Sequence, residues 1–355
     1  MTMEELIRRG QELGASDLHL VCGHPVKYRV DGELRDLGVV PLTREQCEDY
    51  ARQLAGNRYQ RLAGDGWPEQ ENRVGELDLA LTVGERRIRV NLFRQQGSCS
   101  AALRLLPCRI PALEQLELPA GVQEFARWRQ GIVLVTGATG SGKSTTLAAV
   151  LDQINQTRAA HIITLEDPVE YQYRPDRCVI NQRQIGQDTE SYATGLRAAL
   201  REDPDILLIG EMRDQETIEA AITAAETGHL VFATLHTNTA ADAVDRIVGS
   251  FPAERQPQIR MSLSMTLRAV LAQQLVRRRG GGRAAACELM MVNPAIRNLI
   301  REGKTHQIFS AILSGAAQGS VTMDNALLRL VRAGRIDAET ARAAAIDRDY
   351  VTKNT

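Results

Sequence analysis

Residues 137–144 read Gly-Ala-Thr-Gly-Ser-Gly-Lys-Ser and follow directly on the apolar run Ile132-Val133-Leu134-Val135. Every fixed position of the phosphate-loop pattern G-x-x-x-x-G-K-[ST] is filled, with a strand pattern before it and a helix pattern after it. This segment demands an α/β sheet in which a strand delivers its C-terminal end to a loop and the loop opens a helix. Glycine permits backbone angles that turn several N–H groups to one concave side, and the helix N-terminus adds its own donors and dipole. Gly137, Ala138, Thr139, Gly140, Ser141 and Gly142 are expected to cradle phosphate oxygens. Lys143 meets the β- and γ-phosphates, Ser144 offers its hydroxyl to Mg²⁺, and Thr145 follows in the first helical turn. ATP with Mg²⁺ is the expected ligand.

The 355 residues suggest about two domains. With 43 Lys and Arg against 44 Asp and Glu, the near-zero net charge argues against a general nucleic-acid binder or a polybasic membrane anchor. No apolar run approaches the roughly 18 residues of a membrane span, so a cytosolic location is expected. Six cysteines at 22, 47, 99, 108, 178 and 287 form no C-x-x-C pair and read as reduced packing residues.

Up to about residue 107 the pattern is mixed α+β. Helices are expected over 3–13, 44–54 and 58–63, and strands over 17–21, 26–30, 74–83, 86–93 and 100–106. Asp31-Gly32, Gly84-Glu85 and Gln96-Gly97 supply turns. Pro107, Pro111 and Pro119 punctuate an expected linker over 108–120. From residue 121 strands alternate with helices, with strands expected at 132–136, 161–165, 206–209 and 229–235 and a helix at 143–155. After Phe251-Pro252 the chain reads as mostly helical, through 258–275, 294–300, 308–313 and 323–333, interrupted by a Gly280-Gly281-Gly282 turn.

Three further segments fall at strand ends, where an α/β sheet presents its ligand crevice. Thr164-Leu-Glu166-Asp-Pro168-Val-Glu170 leaves carboxylates where they can position Mg²⁺, directly or through water, with Glu166 the candidate. Asp205-Ile-Leu-Leu-Ile-Gly210-Glu211 has the Walker B form, with Gly210 where many ATPases hold a metal-binding Asp. Glu211 is therefore the candidate for orienting or deprotonating the attacking water. Thr227-Gly-His229 and Leu235-His236-Thr237 place one histidine at each end of an apolar strand. His236, at the C-terminal end, is placed to sense the γ-phosphate; His229 is either a second nucleotide contact or a structural histidine. The run Arg277-Arg278-Arg279 reads as a solvated hairpin tip, the alternative being a contact to acidic partners.

Taken together, the phosphate loop, the 166–170 acidic box, Gly210-Glu211 and the two-histidine box resemble the secretion ATPase superfamily in order and spacing. Ala295-Ile-Arg297-Asn298-Leu-Ile-Arg301-Glu302 resembles the signature of its type IV pilus retraction, twitching-motility branch, and Gly14-Ala-Ser-Asp17-Leu-His19 resembles that branch's opening. The resemblance implies a PAS-like α+β N-terminal domain, then a RecA-like ATPase domain over 121–355 with a helical C-terminal part. It implies a homohexamer acting at the inner face of the cytoplasmic membrane on the pilus platform protein. It also gives Arg89 and Arg104 the role of completing the nucleotide site, with Arg87 a rival for Arg89, and ties Arg297 and Asn298 to coupling. The other readings are an assembly or type II secretion motor, a non-hydrolysing regulator and a nucleic-acid motor. The first is disfavoured because this chain has no zinc-type cysteine cluster.

Overall fold

The computed structural model describes residues 1–30, 33–62, 75–83, 86–106 and 109–355. Asp31-Gly32, Ala63, Val74, Gly84-Glu85, Pro107 and Cys108, on which sequence expectations fell, lie outside them. The chain divides into two units, Met1–Arg109 with Glu170–Gln172, and Ile110–Val169 with Tyr173–Thr355.

In the first unit, short strands with alternating apolar residues pair antiparallel. They are β1 (Asp17–Leu20), β2 (Val26–Val30), β3 (Glu33–Leu37), β4 (Glu76–Val83), β5 (Arg86–Gln95) and β6 (Ser98–Leu105), in the order β3-β2-β1-β6-β5-β4. One face buries Leu18, Leu20, Tyr28, Ile88, Val90, Leu92 and Leu103 in a core shared with helices Met3–Glu12 and Arg44–Ala55. Each helix opens with a capping box, Thr2 with Glu5 and Thr43 with Gln46, which satisfies two otherwise orphaned backbone donors.

The second unit is built on β7 (Gly131–Thr136), β8 (His161–Glu166), β9 (Val179–Gln184), β10 (Ile206–Ile209), β11 (Leu230–Leu235), β12 (Leu267–Arg277) and β13 (Arg283–Met291). Their order is β13-β12-β7-β11-β10-β8-β9, parallel throughout except for β13. Strands buried on both faces must be apolar at every position, and the period of two then sorts them between two cores. Ile132, Leu134, Ile163, Leu207, Ile209, Val231 and Ala233 enter one core, with helices Gln215–Glu226 and Ala240–Gly249. Val133, Val135, Ile162, Ile206, Leu208, Leu230 and Phe232 enter the other, with helix Lys143–Thr157. Parallel register brings the C-terminal ends of β7, β8, β10 and β11 to one edge.

Two differences from the sequence reading bear on the site. The helix expected over 258–275 ends at Thr266, and residues 267–277 form β12 between β7 and β13. Leu-Arg-Ala-Val-Leu-Ala-Gln-Gln-Leu is rich in good helix formers, but pairing between two strands with most of its residues buried overrides that preference. Residues 283–291, in the part expected as mostly helical and given no element of their own, form β13, so the Gly280–Gly282 turn joins two strands instead of interrupting helices. The segment expected as a linker belongs partly to the second unit, because Leu113 is buried in its core and Ile110, Leu116 and Leu118 pack against that core.

The Phe232 side chain is fully buried, so Phe232→Ala is expected to cost about 3–5 kcal/mol. Val179→Ala on the exposed edge strand β9 should stay within about 0.5 kcal/mol. Denaturant midpoints of the two variants check the contrast.

Candidate nucleotide site

β7 ends at Thr136 and the phosphate loop begins with Gly137, whose N–H donates to the Leu235 carbonyl at 3.3 Å. Gly137, Gly140 and Gly142 have φ of 141°, 79° and 92°, a region that L-residues avoid. Space makes Gly137 obligatory as well and crowds Gly142. A Cβ on Gly137 would stand 2.1 Å from the Gln273 carbonyl oxygen, and one on Gly142 would stand 2.7 Å from Gln273 Nε2. Gln273, on β12, is buried and accepts a 2.8 Å bond from Thr146 Oγ1 in the first turn of the following helix. This strand therefore shapes the loop, a role hidden by the helical reading of 258–275.

Ala138, Thr139, Gly140 and Ser144 are exposed, whereas Lys143 is buried and donates to the Gly137 and Ala138 carbonyls at 2.7 and 3.0 Å. Thr145 is half-buried. Ser141 Oγ and Thr237 Oγ1 are buried with no hydrogen-bond partner among the described residues. A buried hydroxyl without a partner carries a desolvation cost, which an oxygen-rich ligand held by the loop offsets. The hydroxyl of Ser144 and the nearby carboxylates are hard oxygen donors of the kind Mg²⁺ takes.

The acids arrive on the neighbouring strands. Glu166 closes β8 and accepts from Thr164 Oγ1 at 2.7 Å and from Gln182 Nε2 at 3.2 Å. Just beyond β10, the Gly210 N–H donates to the Leu165 carbonyl at 2.7 Å, and the Gly210 carbonyl accepts from Thr234 Oγ1. A Cβ there would lie 3.0 Å from both the Leu165 carbonyl and the Tyr192 hydroxyl. A side chain at 210 is thus crowded by the backbone of the next strand. Glu211 is ion-paired to Arg213 at 2.7 Å, and His236 Nε2 lies 3.2 Å from its carboxylate. Burial alone pushes its carboxyl upward, but the Arg213 hydrogen bond and His236 outweigh this and hold it below the usual carboxylate range. Sequence reasoning missed Arg213, though it stands two residues from Glu211. It also missed Tyr192, which burial and the charges of Asp167 and Glu211 hold in its neutral phenol form.

His229 is placed elsewhere. β11 pairs in parallel with β7 from Leu230↔Gly131 to Leu235↔Thr136, so His229 precedes the N-terminal edge, roughly 20 Å along the strand from the loop at about 3.3 Å per residue. Its Nδ1 lies 2.9 Å from the Ala224 carbonyl and 3.1 Å from Thr227 Oγ1. Within one chain His229 does not join the phosphate loop, and its observed partners are those of a structural histidine.

In the first unit, antiparallel register sets Arg89 opposite Arg104 and Arg104 opposite Asp17, on one face of the sheet. The 15-residue spacing follows from the hairpin, because the turn at Gln96-Gly97 lies midway between the two arginines. Arg104 Nε bonds Asp17 Oδ1 at 3.1 Å, Arg89 is exposed, and Arg87 reaches Thr82 Oγ1 at 3.4 Å. Arg297 and Asn298 lie on helix Pro294–Glu302, capped by Asn293 and buried through Ile296 and Ile300. Asn298 bonds Glu302 at 2.8 Å, while Arg297 Nε is buried with no partner among the described residues. Arg278 at the hairpin tip pairs with Glu117 at 3.1 Å, so that basic run meets an acid of its own chain.

A phosphate loop at the C-terminal edge of a parallel sheet, with its lysine turned inward and a paired carboxylate at the same edge just beyond β10, defines a P-loop nucleotide-binding protein. The type II/IV secretion system protein family matches residues 2–281. A Pseudomonas aeruginosa protein named type IV pilus retractation ATPase PilT is 44% identical over 346 residues, 97% of this chain and 98% of its own. A Neisseria gonorrhoeae twitching motility protein is 45% identical over 319 residues, covering 89% and 83% of the two chains. The crystal structure of the pilus retraction motor PilT with bound ADP superposes with a TM-score of 0.87 at 44% identity, over 99% of each chain. The chain belongs to the type II/IV secretion system protein family and, within it, to the type IV pilus retraction ATPases.

The lowered pKa of Glu211 has a signed consequence. Its ion pairs contribute stability fully above the ordinary carboxyl value of 4.5, and that contribution is lost as pH falls through the lower folded value. Thermal melts should therefore show Glu211→Gln less stable than the parent at about pH 7, with the gap closing towards about pH 3. Gly210→Asp should lose about 1–3 kcal/mol of stability to the clash with the Leu165 carbonyl, measurable by chemical unfolding.

Proposed function

We propose that this chain hydrolyses ATP at the phosphate-loop site and uses the energy to drive retraction of a type IV pilus, working as a homohexamer on the inner-membrane platform protein. It acts from the cytoplasmic side and meets the membrane through partners only, with no nucleic acid involved. The observation that carries this reading is the Glu211 carboxylate, held by His236 and Arg213 just beyond β10, at the sheet edge that also carries the loop. Glu211 takes a proton from the attacking water, whose oxygen bonds to the γ-phosphorus as the bond to the ADP oxygen breaks. Lys143 leaves the Gly137 and Ala138 carbonyls for the phosphates, and His236 senses the γ-phosphate. Ser144, with Glu166 directly or through water, holds Mg²⁺, which when bound neutralises charge on the β- and γ-phosphate oxygens.

Arg89 and Arg104 complete the site in the ring, with Arg104 exchanging its bond to Asp17 for phosphate; the pairing of the two on one sheet face supports this role. Guanidinium groups supplied in this way are worth about 10³–10⁵ in rate. On this reading the first unit is PAS-like and the second RecA-like, and nucleotide-driven closure between subunits is the mechanical step. Arg297 and Asn298, remote in sequence from the phosphate loop, couple closure to the pilus machine.

Glu211→Gln is expected to lower steady-state ATP hydrolysis by at least about 10² while nucleotide still binds. Hydrolysis at the parental rate would remove Glu211 from its role. Arg297→Ala should hydrolyse ATP normally yet abolish twitching, and deletion of the gene should leave cells with excess surface pili. Bald cells would indicate an assembly motor instead.

A further inference from the structure

Glu288 lies on β13, the antiparallel edge strand, and is almost wholly buried. Its Oε1 accepts from the Ala240 N–H at 2.8 Å, and Ala240 is the first residue of helix Ala240–Gly249. The N–H of Met323, first residue of helix Met323–Arg332, also acts on this carboxylate. One side chain thus serves the starts of two helices remote in sequence, where unpaired N–H groups and the helix dipole favour a negative charge. The second start is itself held from behind. Buried Asp324 accepts from the Ile346 and Asp347 N–H groups at 2.8 and 3.0 Å.

A carboxyl in this position carries a cost. Burial pushes it above the ordinary carboxylate range; the Ala240 and Met323 N–H groups oppose that shift, and the charges of Asp242 and Asp324 add to it. What the carboxyl secures is a position. Residues 236–239 alone separate the end of β11 from Ala240. β11 is fixed by pairing with β7 on one side and β10 on the other. At the far end of the segment, Thr239 Oγ1 caps the helix by accepting from the Asp242 N–H at 3.1 Å, and Glu288 takes the Ala240 N–H. Between these anchors stand His236, 3.2 Å from the Glu211 carboxylate, and Thr237, whose buried hydroxyl has no partner among the described residues.

We propose that Glu288 is a positioning residue for the γ-phosphate sensor: by holding the first turn of helix Ala240–Gly249, it fixes where segment 236–239 presents His236 and Thr237. Glu288 acts through Ala240 and touches no nucleotide. The inference rests on the reading of His236 as that sensor and adds a residue, from a strand on the other side of β7, that sets its place.

The test measures two ligands on the full chain by calorimetric titration: Mg-AMP-PNP, which carries a γ-phosphate, and Mg-ADP, which does not. Glu288→Gln keeps the volume of the side chain but replaces one acceptor oxygen with an amide donor. It is expected to weaken AMP-PNP by about tenfold and to leave ADP within about twofold of the parent. Glu288→Asp, which keeps the charge but withdraws it by one methylene, is the second variant and should show the same selective loss. A purely structural role would lower both affinities together, and that result overturns the inference, as does unchanged AMP-PNP affinity in both variants. His236→Ala separates the two readings. If it leaves AMP-PNP affinity unchanged, the sensor reading fails and takes the inference with it; if it shows the selective loss and neither Glu288 variant does, the inference alone fails.

Discussion

The close approach of β12 to the phosphate loop is the constraint on which the rest of the site depends. With a carbonyl oxygen of Gln273 where a Cβ of residue 137 would stand, only glycine can begin the loop. The Gln273 side chain crowds a Cβ at 142 and accepts from the Thr146 hydroxyl, so the loop and the first turn of its helix are seated on one strand. A loop held in this way presents its N–H groups without waiting for a ligand to order them.

Parallel register does the corresponding work for the acids. Because β8, β10 and β11 end together, Glu166, Glu211 and His236 reach the same sheet edge from segments that are remote in sequence. Gly210 is needed there for space, since its neighbours are the backbone of β8 and the phenol of Tyr192. That crowding disfavours an aspartate at 210, and the first carboxylate beyond β10 stands one residue later, at Glu211. The Arg213 hydrogen bond and His236 then hold the Glu211 carboxyl below the usual carboxylate range despite its partial burial. An ionised group is the form that can accept a proton from water.

The antiparallel first unit obeys a different geometry with an equally simple rule. Residues equidistant from a hairpin turn face each other, which is why Arg89 and Arg104 stand side by side with Asp17 on the next strand. The opposite face is closed by two capped helices and carries the apolar half of each alternation. The two arginines are thus displayed on the sheet face opposite the core.

Local chemistry was legible wherever a short segment dictates its own conformation. The phosphate loop, the apolar parallel strands, the helix starting at Pro294 and the position of Glu211 all follow from nearest neighbours along the chain. Only tertiary structure decided the rest, because each remaining feature depends on a residue far away in sequence. Residues 267–277 are good helix formers, and burial between β7 and β13 makes them a strand. Gln273 shapes a loop some 130 residues earlier, Glu117 meets Arg278, and His229 is separated from the site by the length of its own strand. Sequence settled which chemistry the chain carries, since that depends on residue types at fixed short spacings. The fold settled which of those residues share a site, since that depends on strand order and register.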